Sequence, residues 1–368
     1  MRVLIVAPDL NPPWSEGRKT FVCDLLRQLA GEWDLSVLST AIGEPGSWQS
    51  SVPARHIPCR SKATQLLTLQ RALDCQLAHG DRPDLVLHFP FGTFTGMRGI
   101  ANRFGIAAVD AVSRKHDIPC LTILYSMTAG SLESLSRKVQ HLVAAAGRDW
   151  SGLTLNIGID LDNFPRVWSR QDPRKLLFMA GYSENSSSLL RAILEERGLL
   201  QLIRSGDRLA EVGCTLSIAI PLLRFPERRK ELQDLLARHA PRLQVELIAE
   251  GAPVTLYASH GMFVFPFRVS YTRFMPTSLL EAMACGIPVI ASRLPMMEAV
   301  VRDDEAYCLS FAPDDDAGLV SRVQLAIASW DETVARANRT ADMIRTQWSI
   351  EAAALRLMEI ARQVCGKA

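Results

Sequence analysis

The stretch Pro276-Thr-Ser-Leu-Leu-Glu-Ala-Met-Ala-Cys-Gly-Ile-Pro-Val-Ile-Ala-Ser292 places one carboxylate, Glu281, in a short helical pattern that a glycine ends and an apolar run follows. The start of a helix carries N–H groups without intrahelical acceptors and a partial positive charge, which suits a phosphate. Thr277 and Ser278 are expected to cap that start, because a hydroxyl oxygen can accept from those N–H groups. A carboxylate one turn further in can accept hydrogen bonds from sugar hydroxyls. Gly286 suits the helix end, where the chain turns left-handed without a side-chain clash. Pro288-Val-Ile-Ala is apolar on both faces, as a parallel strand covered by helices would be. The chemistry on offer is the holding of a phosphorylated, hydroxyl-rich ligand. An ordinary helix–strand unit of a doubly wound domain carries the same local pattern.

This unit resembles the nucleotide-sugar-binding signature of the family 4 retaining glycosyltransferases, group 1 enzymes of the GT-B fold. The resemblance implies that Glu281 is the second glutamate of an E-x7-E pattern and binds the donor ribose. It implies that Thr277, Ser278, Leu279 and Leu280 turn backbone donors toward the diphosphate. It also implies that no metal takes part, and that an arginine and a lysine, commonly in G-R-x-x-x-K-G, neutralise the departing phosphate.

The sequence departs from that pattern in two places. After the strand it reads Gly181-Tyr-Ser-Glu-Asn-Ser-Ser-Ser188, with Tyr182 where the arginine would fall. Glu195-Glu-Arg-Gly-Leu is closer to the K-G helix start, displaced by an insertion, with Arg197 in the lysine's place. Arginine is a sound substitute, since its planar fork donates two parallel bonds to phosphate oxygens. Eight residues before Glu281 the family glutamate is replaced by Arg273. Arg273 and Arg268 are candidates for the missing positive charge, each charge-assisted contact being worth about 1.5–3 kcal/mol. Arg197, Arg268 and Arg273 are thus the expected leaving-group stabilisers.

The resemblance extends to the loop Asn11-Pro-Pro-Trp-Ser-Glu-Gly-Arg-Lys19, which is similar to the P-P-x-x-G-G segment that approaches donor phosphate and acceptor. Glu16 replaces its first glycine, and Gly17 keeps a close backbone approach open. His88 ends a strand where the family often has a histidine near the acceptor; a buried core histidine fits the same position. Asp314-Asp-Asp316 follows Pro313 and precedes a helical pattern, so a helix cap is expected there rather than a metal site. The implied reaction is front-face transfer from a nucleotide-diphospho-sugar to a sugar, lipid-linked or small-molecule acceptor, with no cofactor. Two rivals remain: a GT-B-fold partner subunit that has lost transfer, and a nucleotide-sugar epimerase.

The elements that must position these residues alternate along the chain. Strand patterns at Val3–Val6, Leu35–Ser39, Asp84–His88 and Cys120–Ser126 are separated by helical patterns at 18–30, 64–80, 97–116 and 131–147. Thr154 to Pro165 is similar to the N-G-(V/I)-D-x-x-x-F segment that closes the family's first domain, with Ile157 inserted. Residues 166–174 read as a linker, and strand patterns then resume at Lys175, Thr215, Leu243 and Met262. Such β-α alternation implies parallel sheets with ligands at the carboxyl ends of the strands. The expected architecture is α/β: two Rossmann-like doubly wound domains, 1–165 and 172–346, facing across a cleft. A terminal helix, 347–368, is expected to cross back to the first.

Composition bounds the rest. A chain of 368 residues suits two hydrophobic cores. A net charge of +2 gives no reason to expect nucleic acid, and no G-x-x-x-x-G-K-[ST] or G-x-G-x-x-G is present. Eight cysteines lack zinc-like spacing and are expected as reduced thiols. No apolar run approaches the roughly 20 residues of a membrane span. Cytoplasmic residence is the expectation, with Gly96–Phe104, where bases and apolar groups interleave, as a candidate for peripheral contact with an inner membrane face.

Overall fold

The computed structural model describes residues 1–8, 10, 17–42, 52–59, 62–90, 96–124, 129–144, 152–180, 190–268, 275–302 and 305–366. The chain forms two compact units. One comprises Met1–Gly158, Thr272–Phe274 and Ser349–Ala368, and the other Ile159–Tyr271 and Met275–Trp348.

The first unit is built on a parallel sheet of order β3-β2-β1-β4-β5-β6-β7. Its strands are β1 (Arg2–Val6), β2 (Asp34–Ile42), β3 (Ala54–Cys59), β4 (Leu85–His88), β5 (Cys120–Leu124), β6 (His141–Ala144) and β7 (Leu153–Thr154). Successive side chains of a strand point to opposite faces, so β1 feeds two cores. Val3 and Ile5 join the one beneath helix α1 (Gly17–Leu29), while Leu4 and Val6 join the one beneath α2 (Lys62–His79) and α3 (Gly96–Lys115). The chain winds one way through β1–β3 and the other way from β4. The switch point therefore lies between the carboxyl ends of β1 and β4, where His88 sits opposite Val6.

The terminal helix α12 (Ile350–Cys365) completes the first core. Ile350, Ala353, Ala354, Leu357, Met358, Ile360 and Ala361 form a stripe at helical spacing, buried with α1 and the sheet. Ser349 caps it by accepting from the Ala352 N–H at 3.1 Å. Gly158 lies against that cap: a side chain there would meet the Ser349 oxygen and Ile350 Cα at 2.5 Å, so only glycine fits.

The second sheet has order β10-β9-β8-β11-β12-β13 and is also parallel throughout. Its strands are β8 (Lys175–Met179), β9 (Thr215–Ala219), β10 (Gln244–Ile248), β11 (Met262–Phe265), β12 (Val289–Ser292) and β13 (Leu309–Phe311). The helices used below are α5 (Leu199–Arg204), α8 (Pro253–Ser259), α9 (Thr277–Cys285), α10 (Asp316–Ala328) and α11 (Trp330–Gln347). Here the switch point falls between the carboxyl ends of β8 and β11.

Three sequence expectations need correction. The helical pattern over 131–147 divides into α4 (Ala129–Ser136) and the strand β6. Leu142-Val-Ala is a short apolar run, which periodicity cannot tell from a buried helix turn. Strands β3 and β7 went unread, the former because its alternation is poor. Residues 159–168 are neither the end of the first domain nor a linker. Ile159, Leu161, Phe164 and Trp168 pack on the core beneath α9, the Trp168 indole N–H donates to the His260 carbonyl at 2.8 Å, and Arg166 pairs with Asp342 at 2.9 Å. Among the described residues no helix is long and apolar enough to cross a membrane.

Candidate functional site

Helix α9 forms where the sequence placed it. Leu279, Leu280, Ala282 and Met283 are buried, and Gly286 ends the helix at φ 89°. Burying the two leucines contributes about 1.5–3 kcal/mol each and fixes the helix against the sheet. The start differs from expectation. Pro276, not Thr277 or Ser278, is the cap residue, and no side chain caps the helix. The N–H groups of Leu279 and Leu280 turn back to the Pro276 carbonyl at 3.1 and 3.4 Å. The donors left over are those of Thr277 and Ser278, at the first and second helical positions, and among the described residues they have no acceptor.

With its hydroxyl freed from capping, Thr277 donates to the Glu281 carboxyl one turn on. Glu281 keeps some solvent contact as a residue, yet its carboxyl lies deep among protein atoms. Burial pushes it up to about 7, partly offset by the Thr277 bond. Tyr257, fully buried on α8, donates to the Ser278 carbonyl at 3.0 Å and stands edge-on to Phe263 at 5.6 Å. It braces the first turn of α9 from below. An acidic group poised near neutrality beside two free N–H donors is equipped to grip hydroxyls and an anion together.

Arg197 and Gly198 lie at the carboxyl end of β11. Gly198 has φ 73°, and an added Cβ would meet the Pro266 oxygen at 1.7 Å, so both its conformation and its surroundings demand glycine. The close approach places the Arg197 guanidinium 4.4 Å from the centre of the Phe267 ring, which in turn stacks on Phe265 at 3.7 Å. The ring's negative face attracts the guanidinium and fixes where its charge sits. Phe267 is itself tied down, since Ser292 at the end of β12 donates to its carbonyl.

Arg268 comes to the same place but is engaged differently. Its backbone N–H donates to the Glu196 carbonyl at 3.0 Å and its guanidinium to the Glu195 carbonyl at 3.3 Å, and it forms an ion pair with Asp314. It fastens the Arg197 turn to the strand ends and is neutralised by Asp314. The neighbouring carboxylates are committed as well. Asp315 caps α10 by accepting from the Gly318 N–H at 2.8 Å, as the sequence suggested, and Asp316 pairs with Arg204 at 3.2 Å. Arg273, the third expected arginine, lies outside the described residues. Phe267 and Tyr257 were not foreseen. The alternation Phe263-Val-Phe265-Pro-Phe267 is the sequence signal for Phe267, and it reads as core alone; Tyr257 has no such signal.

In the first domain Gly17 opens α1, and Glu16 lies outside the described residues. His88 is fully buried; burial pulls it down to about 3, so it is neutral, and among the described residues its Nδ1 has no partner. The buried state anticipated for it is what the structure shows. The His116-Asp117 pair makes no dyad, because His116 bonds Asp74 at 2.7 Å.

Residues 198–329 match the family described as Glycosyl transferases group 1. The matched region begins at the constrained Gly198 and contains Phe267, Arg268, Glu281 and Asp314, so the resemblance read from the sequence holds. No curated protein is recognisably similar in sequence. Among solved structures, HepE of Anabaena in complex with UDP and glucose superimposes with TM-score 0.68 at 14% identity, over 99% of this chain and 100% of that one. Sucrose-phosphate synthase of Thermosynechococcus elongatus gives 0.70 at 15% identity over 100% of both chains. A glycosyltransferase of Rickettsia africae gives 0.71 at 12% identity, over 100% of this chain and 99% of that one. Such likeness at low identity establishes the fold: two Rossmann-like domains of the GT-B class. The chain thus shares the GT-B fold with these enzymes, and within its second domain residues 198–329 are similar to group 1 glycosyl transferases.

Proposed function

We propose that this protein moves a sugar, with retention and without a metal, from a nucleotide-diphospho-sugar to an acceptor hydroxyl. The observation that carries the reading is the conjunction, at the carboxyl edge of the second sheet, of two free helix N–H groups, Glu281 and the Phe267-borne Arg197. Glu281 in its ionised form accepts from the ribose hydroxyls. Thr277 and Ser278 donate to the diphosphate, and Arg197 supplies the cation that stabilises its developing charge. We assign the acceptor to the first domain, near the end of β4. Its oxygen bonds to the sugar's anomeric carbon on the face from which the phosphate oxygen leaves. The departing phosphate takes the acceptor proton, so neither a protein nucleophile nor a cofactor is required. That HepE was solved with UDP and with UDP-glucose makes a uridine donor the first to test. We place the protein in the cytoplasm, where such donors are made.

Turnover tests this directly. With a panel of nucleotide sugars and acceptors, nucleoside diphosphate should be released only when acceptor is present, and the product should keep the donor's anomeric configuration. A second reading, a binding subunit without transfer, is favoured by the commitment of Arg268 to Asp314. It predicts donor binding with no release under any pairing.

A further inference from the structure

We infer that Asp314 stands in for the donor's phosphates: it holds Arg268 in the absence of donor, and the bound diphosphate takes Arg268 from it as a second cation beside Arg197. The inference rests on the donor site proposed above and adds its regulation. Arg268 is held in two separable ways. Its backbone N–H donates to the Glu196 carbonyl at 3.0 Å and its guanidinium to the Glu195 carbonyl at 3.3 Å. Backbone oxygens therefore fasten the Arg197 turn to the end of β11 without help from a carboxylate. The ion pair with Asp314 comes in addition, and its loss leaves that fastening in place. A guanidinium has several N–H donors, so one can stay on Glu195 while others change partner. Arg268 also directly follows Phe267, over whose ring the Arg197 guanidinium sits at 4.4 Å, so the two cations issue from one point.

The three consecutive aspartates have different duties. Asp315 caps α10 and Asp316 pairs with Arg204, whereas the ion-pair partner of Asp314 is Arg268. Asp314 reaches it from φ 62°, in the left-handed region where a residue other than glycine is uncommon. Strained residues of this kind concentrate at switches and ligand clamps. The Asp314 side chain is 51% exposed and that of Arg268 29%, and an ion pair so open to water contributes little. A diphosphate offers more charge, and its oxygens accept parallel bonds from the planar fork of arginine. The exchange therefore favours the donor, while the displaced carboxylate, already half in water, stays solvated.

Calorimetric titration of the full chain tests this, with whichever of uridine, guanosine, adenosine and thymidine diphosphate gives the largest thermal shift. D314N and D314G should each bind it roughly fivefold more tightly than wild type, since no pair has to be broken first. Glycine suits the left-handed position, so D314G keeps the test open should asparagine disturb the loop. The gain should need Arg268: in an R268A background, D314N should alter affinity by less than about twofold. Wild-type or lower affinity in either folded variant overturns the inference, and binding by the wild type then leaves the donor site standing. A gain that survives R268A overturns it as well, because Asp314 would then repel the ligand without acting through Arg268. If neither wild type nor the variants bind any of these diphosphates, the donor site falls and the exchange with it.

Discussion

Glu281 is the residue whose chemistry the structure sharpens most. Its carboxyl titrates near 7 instead of the usual 4.5, chiefly because it is buried. An acid raised in the folded state is stabilising while protonated. That contribution is full below about 4.5, is lost as pH climbs toward 7, and stays lost above. Partial exposure limits the loss to about 1–3 kcal/mol. Glu281→Gln should therefore raise the melting temperature by a few degrees at pH 8 and by little at pH 4, in calorimetric scans. The same change should weaken nucleoside diphosphate binding, an opposition between stability and function that a merely structural glutamate would not produce. Ribose hydroxyls favour the ionised form, so wild-type binding near pH 6.5 should release a proton, seen as a dependence of binding heat on the buffer's ionisation enthalpy. Arg197→Ala should lower kcat/KM roughly 10- to 150-fold, and Arg197→Lys should restore part of it. A loss unaffected by lysine would mean that the ring contact, not the charge, is what matters.

At the scale of elements, the site depends on two glycines with different duties. Gly286 needs only its backbone freedom: the nearest atom to an added Cβ is 3.6 Å away, so Gly286→Ala should cost about 1–2 kcal/mol and leave donor binding intact. Gly198 needs both freedom and space, and the obstructing atom is a backbone oxygen. Gly198→Ala should displace the Arg197 turn from Phe267 and abolish diphosphate binding even in protein that still folds. A crystal structure or titration of that variant checks this. The sequence showed α9 and its strand plainly because a carboxylate, a glycine and an apolar run stand within one short window. It showed Arg197-Gly198 through the helix start that follows. Arg268 misled, because its partner Asp314 lies on another strand's loop and no local pattern announces the pair. Thr277 misled similarly, since its hydroxyl serves Glu281 and the cap falls to Pro276.

Across the whole molecule, the two domains were not equally legible. The family match, residues 198–329, lies within the second domain and does not reach the first. There the switch-point rule still located His88, but most of the loop similar to the P-P-x-x-G-G segment, residues 11–16, lies outside the described residues. The division at Gly158 falls a few residues earlier than the sequence suggests, because the apolar residues that pack in the second core are interspersed with Asp160, Asp162, Asn163 and Arg166 and form no strand or helix period. The terminal helix reads as amphipathic, and its stripe fills the first core. Deleting residues 349–368 should therefore lower the first domain's melting transition by tens of degrees while the second domain still melts cooperatively, giving two transitions in place of one.

The central claim is that Glu281, Arg197 and the first turn of α9 hold the donor's nucleoside diphosphate. A thermal-shift screen of uridine, guanosine, adenosine and thymidine diphosphates selects the ligand, because binding stabilises by mass action. Calorimetric titration of that ligand at pH 8 into wild type, Glu281→Gln and Arg197→Ala then decides. The account predicts affinity losses of roughly 10- to 150-fold for each variant. Wild-type affinity in both would contradict it.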